Sequence, residues 1–175
     1  MLPAGAKKAQ GPEIRLATPD DAAAIAGVLF AAFSPNREHY TPEAFDAVTL
    51  TPESVLDRLV EGPIWVAELD NEVVGTVSLT TEPEGLYVRS MAIKPSAQRM
   101  GIAKRLLDVI DEHAAANGYE RIFLYTSYFI LGAKELYEKQ GFKWVRDTEA
   151  EEWHGTLGLE MDKKVERKTQ NVARS

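Results

Sequence analysis

Apolar positions recur along this chain with two different periods, and each switch between them marks an element. Alternation over Glu13 to Ala17 predicts a short strand. Thr18-Pro19-Asp20-Asp21 combines a hydroxyl cap, proline at the first helical position and acids in the first turn, so a helix is expected to about Phe33. The Thr-Pro-Glu opening recurs at Thr41 and Thr51 and predicts short helices over about 42–48 and 52–60. From Ile64 the period falls to two: Ile64 to Leu69, a tight Asp70-Asn71 turn and Glu72 to Thr80 read as a hairpin, with Leu86 to Ile93 the next strand. From about Gly101 to Asn117 the helical period returns, with Ile102, Leu106, Val109 and Ile110 on one stripe and Gly118 as the C-terminal cap. Arg121 to Thr126 reads as a short buried strand and Leu131 to Gln140 as a helix stopped by Gly141. Phe142 to Asp147 and Gly155 to Met161 read as closing strands.

At 175 residues and 45% hydrophobic, the chain suits one domain with its own core, expected over 13–163 between flexible polar tails at 1–12 and 164–175. With no cysteine, disulfides, thiolate catalysis and cysteine metal sites are excluded. His39, His113 and His154 are far apart and lack paired ligand spacing, so no metal is expected. No stretch reaches the ~20 apolar residues of a membrane span or forms a signal-peptide core, which makes a cytoplasmic protein the expectation. A net charge of -7 argues against nucleic-acid binding and modestly favours cationic substrates.

One segment carries candidate chemistry. Gln98-Arg99-Met100-Gly101-Ile102-Ala103 lies between a strand and a helix. The first amides of a helix lack intrahelical partners and the dipole adds positive charge, so a pyrophosphate fits there; Gly101 lets backbone approach it and small Ala103 leaves room.

Upstream, the strand ends in Met91-Ala92-Ile93-Lys94-Pro95; downstream comes Ala133-Lys-Glu-Leu-Tyr-Glu-Lys-Gln-Gly-Phe142. Together with the Gln98 loop these closely resemble the GNAT N-acetyltransferase superfamily, over roughly residues 13 to 162. The resemblance implies an α+β (mixed α/β) fold: a central, mostly antiparallel sheet of six to seven strands, splayed between the fourth and fifth and flanked by helices. It also implies acetyl-CoA as co-substrate, lying in that splay. Backbone groups of Met91 and Ile93, flanking Ala92, would pair with the pantetheine arm. Amides around Gln98, Arg99, Met100, Gly101, Ile102, Ala103 and Lys104 would hold the pyrophosphate, with Arg99 and Lys104 adding charge. Tyr137 would be the general acid, protonating the departing thiolate, and Ala133 lies in the same cofactor-contacting segment. The asparagine that the family often places three residues before this alanine is here Ile130, and Ser127 or Tyr128 could replace its contact.

Family members acting on basic amines often carry a glutamate four residues before the position of Met91, and here that position is Tyr87. Strand alternation puts Tyr87 with Gly85, Arg89 and Met91 on one face, and Glu84 on the other, unless a bulge shifts the register. A lysine-like amine with pKa ~10.4 costs roughly 4.6 kcal/mol to neutralise at pH 7, whereas an α-amine near ~8 costs only about 1.4. The pattern therefore leans towards a small α-amine, with Tyr87, Arg89 and Glu84 as candidate substrate contacts. Arg89 would clamp a carboxylate, and Glu82, Glu84 or His154 would be available as the base. The bland alternatives are a packing role for Tyr87 and an ordinary ion pair for Arg89. The acidic run Glu149, Glu151 and Glu152 is either a solvated loop or an amine-attracting rim.

The expected function is acetyl transfer from acetyl-CoA by direct attack of a primary amine, on an amino acid or similar small molecule. The rivals are a catalytically silent acyl-CoA-binding module and an acetyltransferase of protein or peptide amines. A P-loop nucleotide site is excluded because no Gly-Lys-Ser/Thr follows the turn. Acetyl-CoA and an amine acceptor are the expected partners, without nucleic acid or membrane; a homodimer is left open.

Overall fold

The Asp70-Asn71 turn has the backbone a two-residue hairpin requires: φ is 51° and 63°, left-handed at both positions. It joins β2 (Ile64–Leu69) to β3 (Glu72–Glu82) in the computed structural model, which describes residues 11–167. Before them come β1 (Glu13–Leu16), α1 (Ala22–Phe33), α2 (Pro42–Val48) and α3 (Pro52–Glu61). After them come β4 (Gly85–Ile93), α4 (Ile102–Ala116), β5 (Arg121–Thr126), α5 (Ala133–Lys139), β6 (Lys143–Thr148) and β7 (Gly158–Lys164). All seven strands form one sheet in the order β1-β2-β3-β4-β5-β7-β6, antiparallel except for the β4–β5 pair.

The caps behave as their residue types dictate. Thr41 and Thr51 accept from the amides of Ala44 and Ser54, each at 3.2 Å. Asp21 accepts from the Thr18 amide at 2.8 Å, but Pro19–Asp21 forms a single tight turn and the α-helix begins only at Ala22. Two late elements also start after the expected point. Gly132 takes a left-handed conformation before α5, and a one-turn segment, Ala150–Trp153, delays β7 to Gly158. β7 then runs to Lys164, and the Val165 amide still bonds Glu120 O at 2.9 Å, so paired backbone reaches into the segment expected to be a tail. The remainder of that segment from 168, and residues 1–10, lie outside the described residues.

The sheet buries both faces. Ala22, Ile25, Val28 and Leu29 of α1 and Val55 of α3 cover Ile64, Val66, Val73 and Ala92 on one side. Ile102, Leu106, Leu107 and Ile110 of α4, with Tyr137 and Phe142, cover Leu79, Leu86, Val88, Ile122 and Leu124 on the other. No helix among the described residues is long and apolar enough to cross a membrane.

Two irregularities in β4 shape the molecule's centre. β4 pairs with β5 only through Leu86–Ile122, Tyr87–Phe123 and Val88–Leu124, after which the parallel strands part. On its other edge, Arg89 faces Ser78 and Ala92 faces Thr76, so β4 carries one extra residue, a bulge at which Ser90 has φ 53°. Strict alternation would keep Tyr87, Arg89 and Met91 on one face. The extra residue instead turns Met91 towards the α4 core while Ala92 joins the α1 core.

Candidate active site

Where β4 and β5 part, a cleft of about 470 Å³ opens through the sheet. On the α4–α5 side it is walled by Val88, Met91, Leu124, Ile130, Ala133 and Tyr137. On the α1–α3 side it reaches Arg58, Tyr87, Arg89 and Ser90, and Phe33, Tyr40, Val48, Trp153 and Thr156 line it further out. One passage therefore joins two faces of a sheet that is sealed elsewhere by its ladder.

Tyr137 is 9% exposed, packs edge-on against Phe142 with centroids 5.7 Å apart, and makes no hydroxyl hydrogen bond among the described residues. Burial pushes its phenol up to about 12, so it is a protonated donor at any physiological pH. Ser127 is buried and lines the cleft. Tyr128 is engaged elsewhere: its hydroxyl donates to Asp147 Oδ1 at 2.5 Å.

Tyr87 lies flat on Phe123 at 5.1 Å and edge-on to Tyr125 at 5.7 Å, and burial raises its phenol to about 12. It is thus a packing aromatic and a cleft wall together. Arg89 donates through Nη2 to Glu61 while its Nε is buried without a partner, and burial beside Arg58 lowers its pKa. Glu84 is exposed in the β3–β4 turn, and neither it, Glu82 nor His154 lines the cleft. Glu152 is the one carboxylate that does, among the described residues. It is held by Arg146 in two bonds of 2.8 and 2.9 Å, which depress its carboxyl to about 2, so Glu152 offers little free charge to an incoming amine, and Glu149 and Glu151 do not line the cleft.

The Gln98–Lys104 segment is not part of the enclosed cleft and leaves β4 on the surface. Gln98, Arg99, Met100, Gly101 and Lys104 are exposed, whereas the Ile102 side chain is buried, so that residue can offer only its amide to a ligand. Gly101 caps α4 at φ 75° with no atom within 4 Å of where a Cβ would stand, and Arg99 is also left-handed at φ 64°. Lys104 Nζ pairs with Asp108 at 2.8 Å. Ala92 is buried and Ile93 packs into the α4 core, so these two also present backbone rather than side chain. No group of three or more His, Asp or Glu is arranged to hold a metal among the described residues.

Reasoning from sequence did not single out Arg58, Tyr40, Trp153 or Thr156. Arg58 reads as the polar face of an amphipathic helix, and the other three come from loops with no periodicity.

This fold is shared with a solved Paia N-acetyltransferase from Thermoplasma acidophilum in complex with coenzyme A. The TM-score is 0.75 at 21% identity, over 89% of this chain and 99% of that one. The model of the acetyltransferase (GNAT) family matches residues 28–142, and the chain belongs to that family. Among curated relatives, an N-acetylaspartate synthetase from Danio rerio is 34% identical over 87 residues, 49% of this chain and 31% of the relative. N-acetyltransferase 8B from Homo sapiens is 34% identical over 85 residues, 45% of this chain and 37% of the relative. The matched stretch thus spans about a third of these relatives' length. The family is one of acetyltransferases that use acetyl-CoA.

Proposed function

We propose that this enzyme transfers the acetyl group of acetyl-CoA to the α-amine of a small, amino-acid-like molecule by direct attack. The observation that carries this reading is the cleft joining Tyr137 on one face of the sheet to Tyr87 and Arg89 on the other. Donor and acceptor can then enter from opposite faces and meet at the parting of β4 and β5.

The residues present suit the donor. The free amides at the start of α4, the open space over Gly101 and the exposed Arg99 match a pyrophosphate. The β4 backbone from Arg89 onward has no ladder partner on its β5 side and can pair with an amide-bearing arm. At the reacting centre the amine nitrogen bonds the acetyl carbon, the carbon–sulfur bond breaks, and Tyr137 gives its proton to the sulfur while the amine's proton leaves to solvent. The absence of a free carboxylate or imidazole on the cleft among the described residues favours an α-amine, since the ~1.4 kcal/mol needed to neutralise it is within reach of positioning alone.

Thiol release from acetyl-CoA across amino acids, polyamines, aminoglycosides and peptide N-termini, with products read by mass, tests this. Amino acids should be the fastest class. Faster acetylation of polyamines or protein lysines would rule out the α-amine reading, and tight acetyl-CoA binding without amine-stimulated release would make the protein a binding module.

A further inference from the structure

The acceptor end of the cleft carries charge opposite to the rest of the molecule. The chain has 27 acidic and 20 basic residues, yet two guanidiniums, Arg58 and Arg89, line this end. Arg58 comes from α3 and donates through Nη1 to Ser90 Oγ at 2.5 Å, a neutral partner. Arg89 has one carboxylate, Glu61, at its outer end. Glu152, the one acid lining the cleft among the described residues, is consumed by Arg146. Two cations against one available anion leave a net charge of about +1 in a half-buried site, where an unbalanced charge is costly. Burial lowers the pKa of both guanidiniums, and the Arg58 charge lowers that of Arg89 further.

A second, independent observation points the same way. Only three buried side-chain polar atoms among the described residues lack a hydrogen-bond partner: Trp65 Nε1, Arg89 Nε and Thr156 Oγ1. Two of the three residues line this cleft. Buried donors in a folded protein are nearly always satisfied, so a pair left open in one cavity is what a ligand completes. The walls around them, Phe33, Tyr40, Val48 and Trp153, are apolar or aromatic and bring no further charge.

Resting on the acetyltransferase reading above, we infer that the acceptor is a free α-amino acid with an apolar side chain, its carboxylate held by Arg58 and Arg89 and its side chain against the Tyr40–Trp153 wall. One carboxylate balances the site, whereas the second carboxylate of an aspartate or glutamate would tip it to net negative, with no further cation among the Phe33, Tyr40, Val48 and Trp153 walls to pair with it. A peptide N-terminus lacks a carboxylate next to its amine, and a polyamine would meet two guanidiniums.

The test compares phenylalanine and leucine with their amides and with aspartate, in steady-state acetylation by the wild-type enzyme and by Arg58→Gln and Arg89→Gln. Phenylalanine and leucine should have KM values about 10- to 100-fold below their amides, the range of a lost charge-assisted bond. Both substitutions should raise the amino-acid KM by a similar factor, leaving kcat less affected and the acetyl-CoA KM unchanged. A binding measurement on the wild type separates this inference from the reading beneath it. In the presence of CoA, N-acetylphenylalanine should bind more tightly than N-acetylphenylalaninamide by calorimetry, and Arg58→Gln should abolish the difference. If that preference holds while no amine is acetylated, the clamp stands and the transfer reading falls. Equal use or equal binding of acid and amide overturns the clamp, and aspartate outrunning phenylalanine overturns the apolar side chain.

Discussion

Arg58 on α3 and Ser90 at the bulge of β4 are joined by a 2.5 Å hydrogen bond from Nη1 to Oγ, so the strand irregularity is tied to a helix on the α1–α3 face of the sheet. The pairing explains how a serine holds φ 53°, a conformation costing an ordinary L-residue roughly 1–2 kcal/mol. It also keeps Arg58 against the sheet, beside Arg89.

The bulge and the bond can be separated by two substitutions. Ser90→Gly loses the hydroxyl but relaxes the left-handed backbone, while Ser90→Ala loses the hydroxyl and keeps the strain. In urea denaturation Ser90→Ala should be about 1 kcal/mol less stable than Ser90→Gly. Equal stabilities would mean that the backbone strain is not real.

Gly101 separates backbone demand from ligand fit in the same manner. Its φ of 75° makes Gly101→Ala destabilising by roughly 1 kcal/mol, although nothing in the protein obstructs the new methyl. If the turn cradles the pyrophosphate, that methyl also stands in the ligand's space, and the acetyl-CoA Kd should rise about tenfold or more. A stability loss with unchanged acetyl-CoA affinity would place the pyrophosphate elsewhere.

The sequence was legible where local chemistry decides. Asp70-Asn71 makes a hairpin because both residues tolerate left-handed backbone, and the proline-led Thr41 and Thr51 starts are true caps. The left-handed Gly101 that caps α4 and the position of Tyr137 on a helix beside the sheet were equally visible. The bulge was not, because serine carries no signature of positive φ, and with it the facing of Met91 was misread. Nor was the outer wall of the cleft: Tyr40 and Trp153 come from segments far apart in the chain and meet only in the fold, their rings 6.1 Å apart. Such a surface is set by tertiary contact, which neither period nor cap encodes.

Asp21 is the joint of the N-terminal segment. It takes two bonds from Arg15, at 2.8 and 2.9 Å, and one from the Thr18 amide, while Arg15 also reaches Glu68 on β2. Asp21→Asn should cost about 2 kcal/mol at pH 7 by urea denaturation, since it strips the charge from a buried carboxylate hydrogen-bonded to a half-buried guanidinium. The Arg15 guanidinium holds the Asp21 carboxyl below its ordinary value. Its contribution is therefore fully present above the unfolded value of about 3.9 and lost as pH falls through the lower folded one. The gap between Asp21→Asn and wild type should accordingly shrink between pH 5 and about 2. A constant gap would show that the carboxylate's charge is not what matters.

Tyr137 predicts behaviour at the other end of the scale. If it supplies the proton to the departing sulfur, Tyr137→Phe should lower kcat by about 10²- to 10⁴-fold with little change in acetyl-CoA affinity. Its folded pKa of about 12 keeps the donor protonated throughout the working range. kcat/KM in the wild type should then climb with pH as the amine deprotonates near ~8, with no alkaline fall attributable to this phenol below pH ~11. Stability carries the matching sign. The folded state holds the phenolic proton more tightly than the unfolded one, so this contribution is whole below pH ~10 and is lost as pH rises towards 12. A two-unit displacement corresponds to roughly 2–3 kcal/mol, and removing the hydroxyl removes that slope. Thermal unfolding of wild type and Tyr137→Phe from pH 8 to 11.5 should therefore converge from the wild type falling faster. Parallel curves would mean the phenol is open to solvent, and a Tyr137→Phe enzyme with wild-type kcat would assign the proton to another donor.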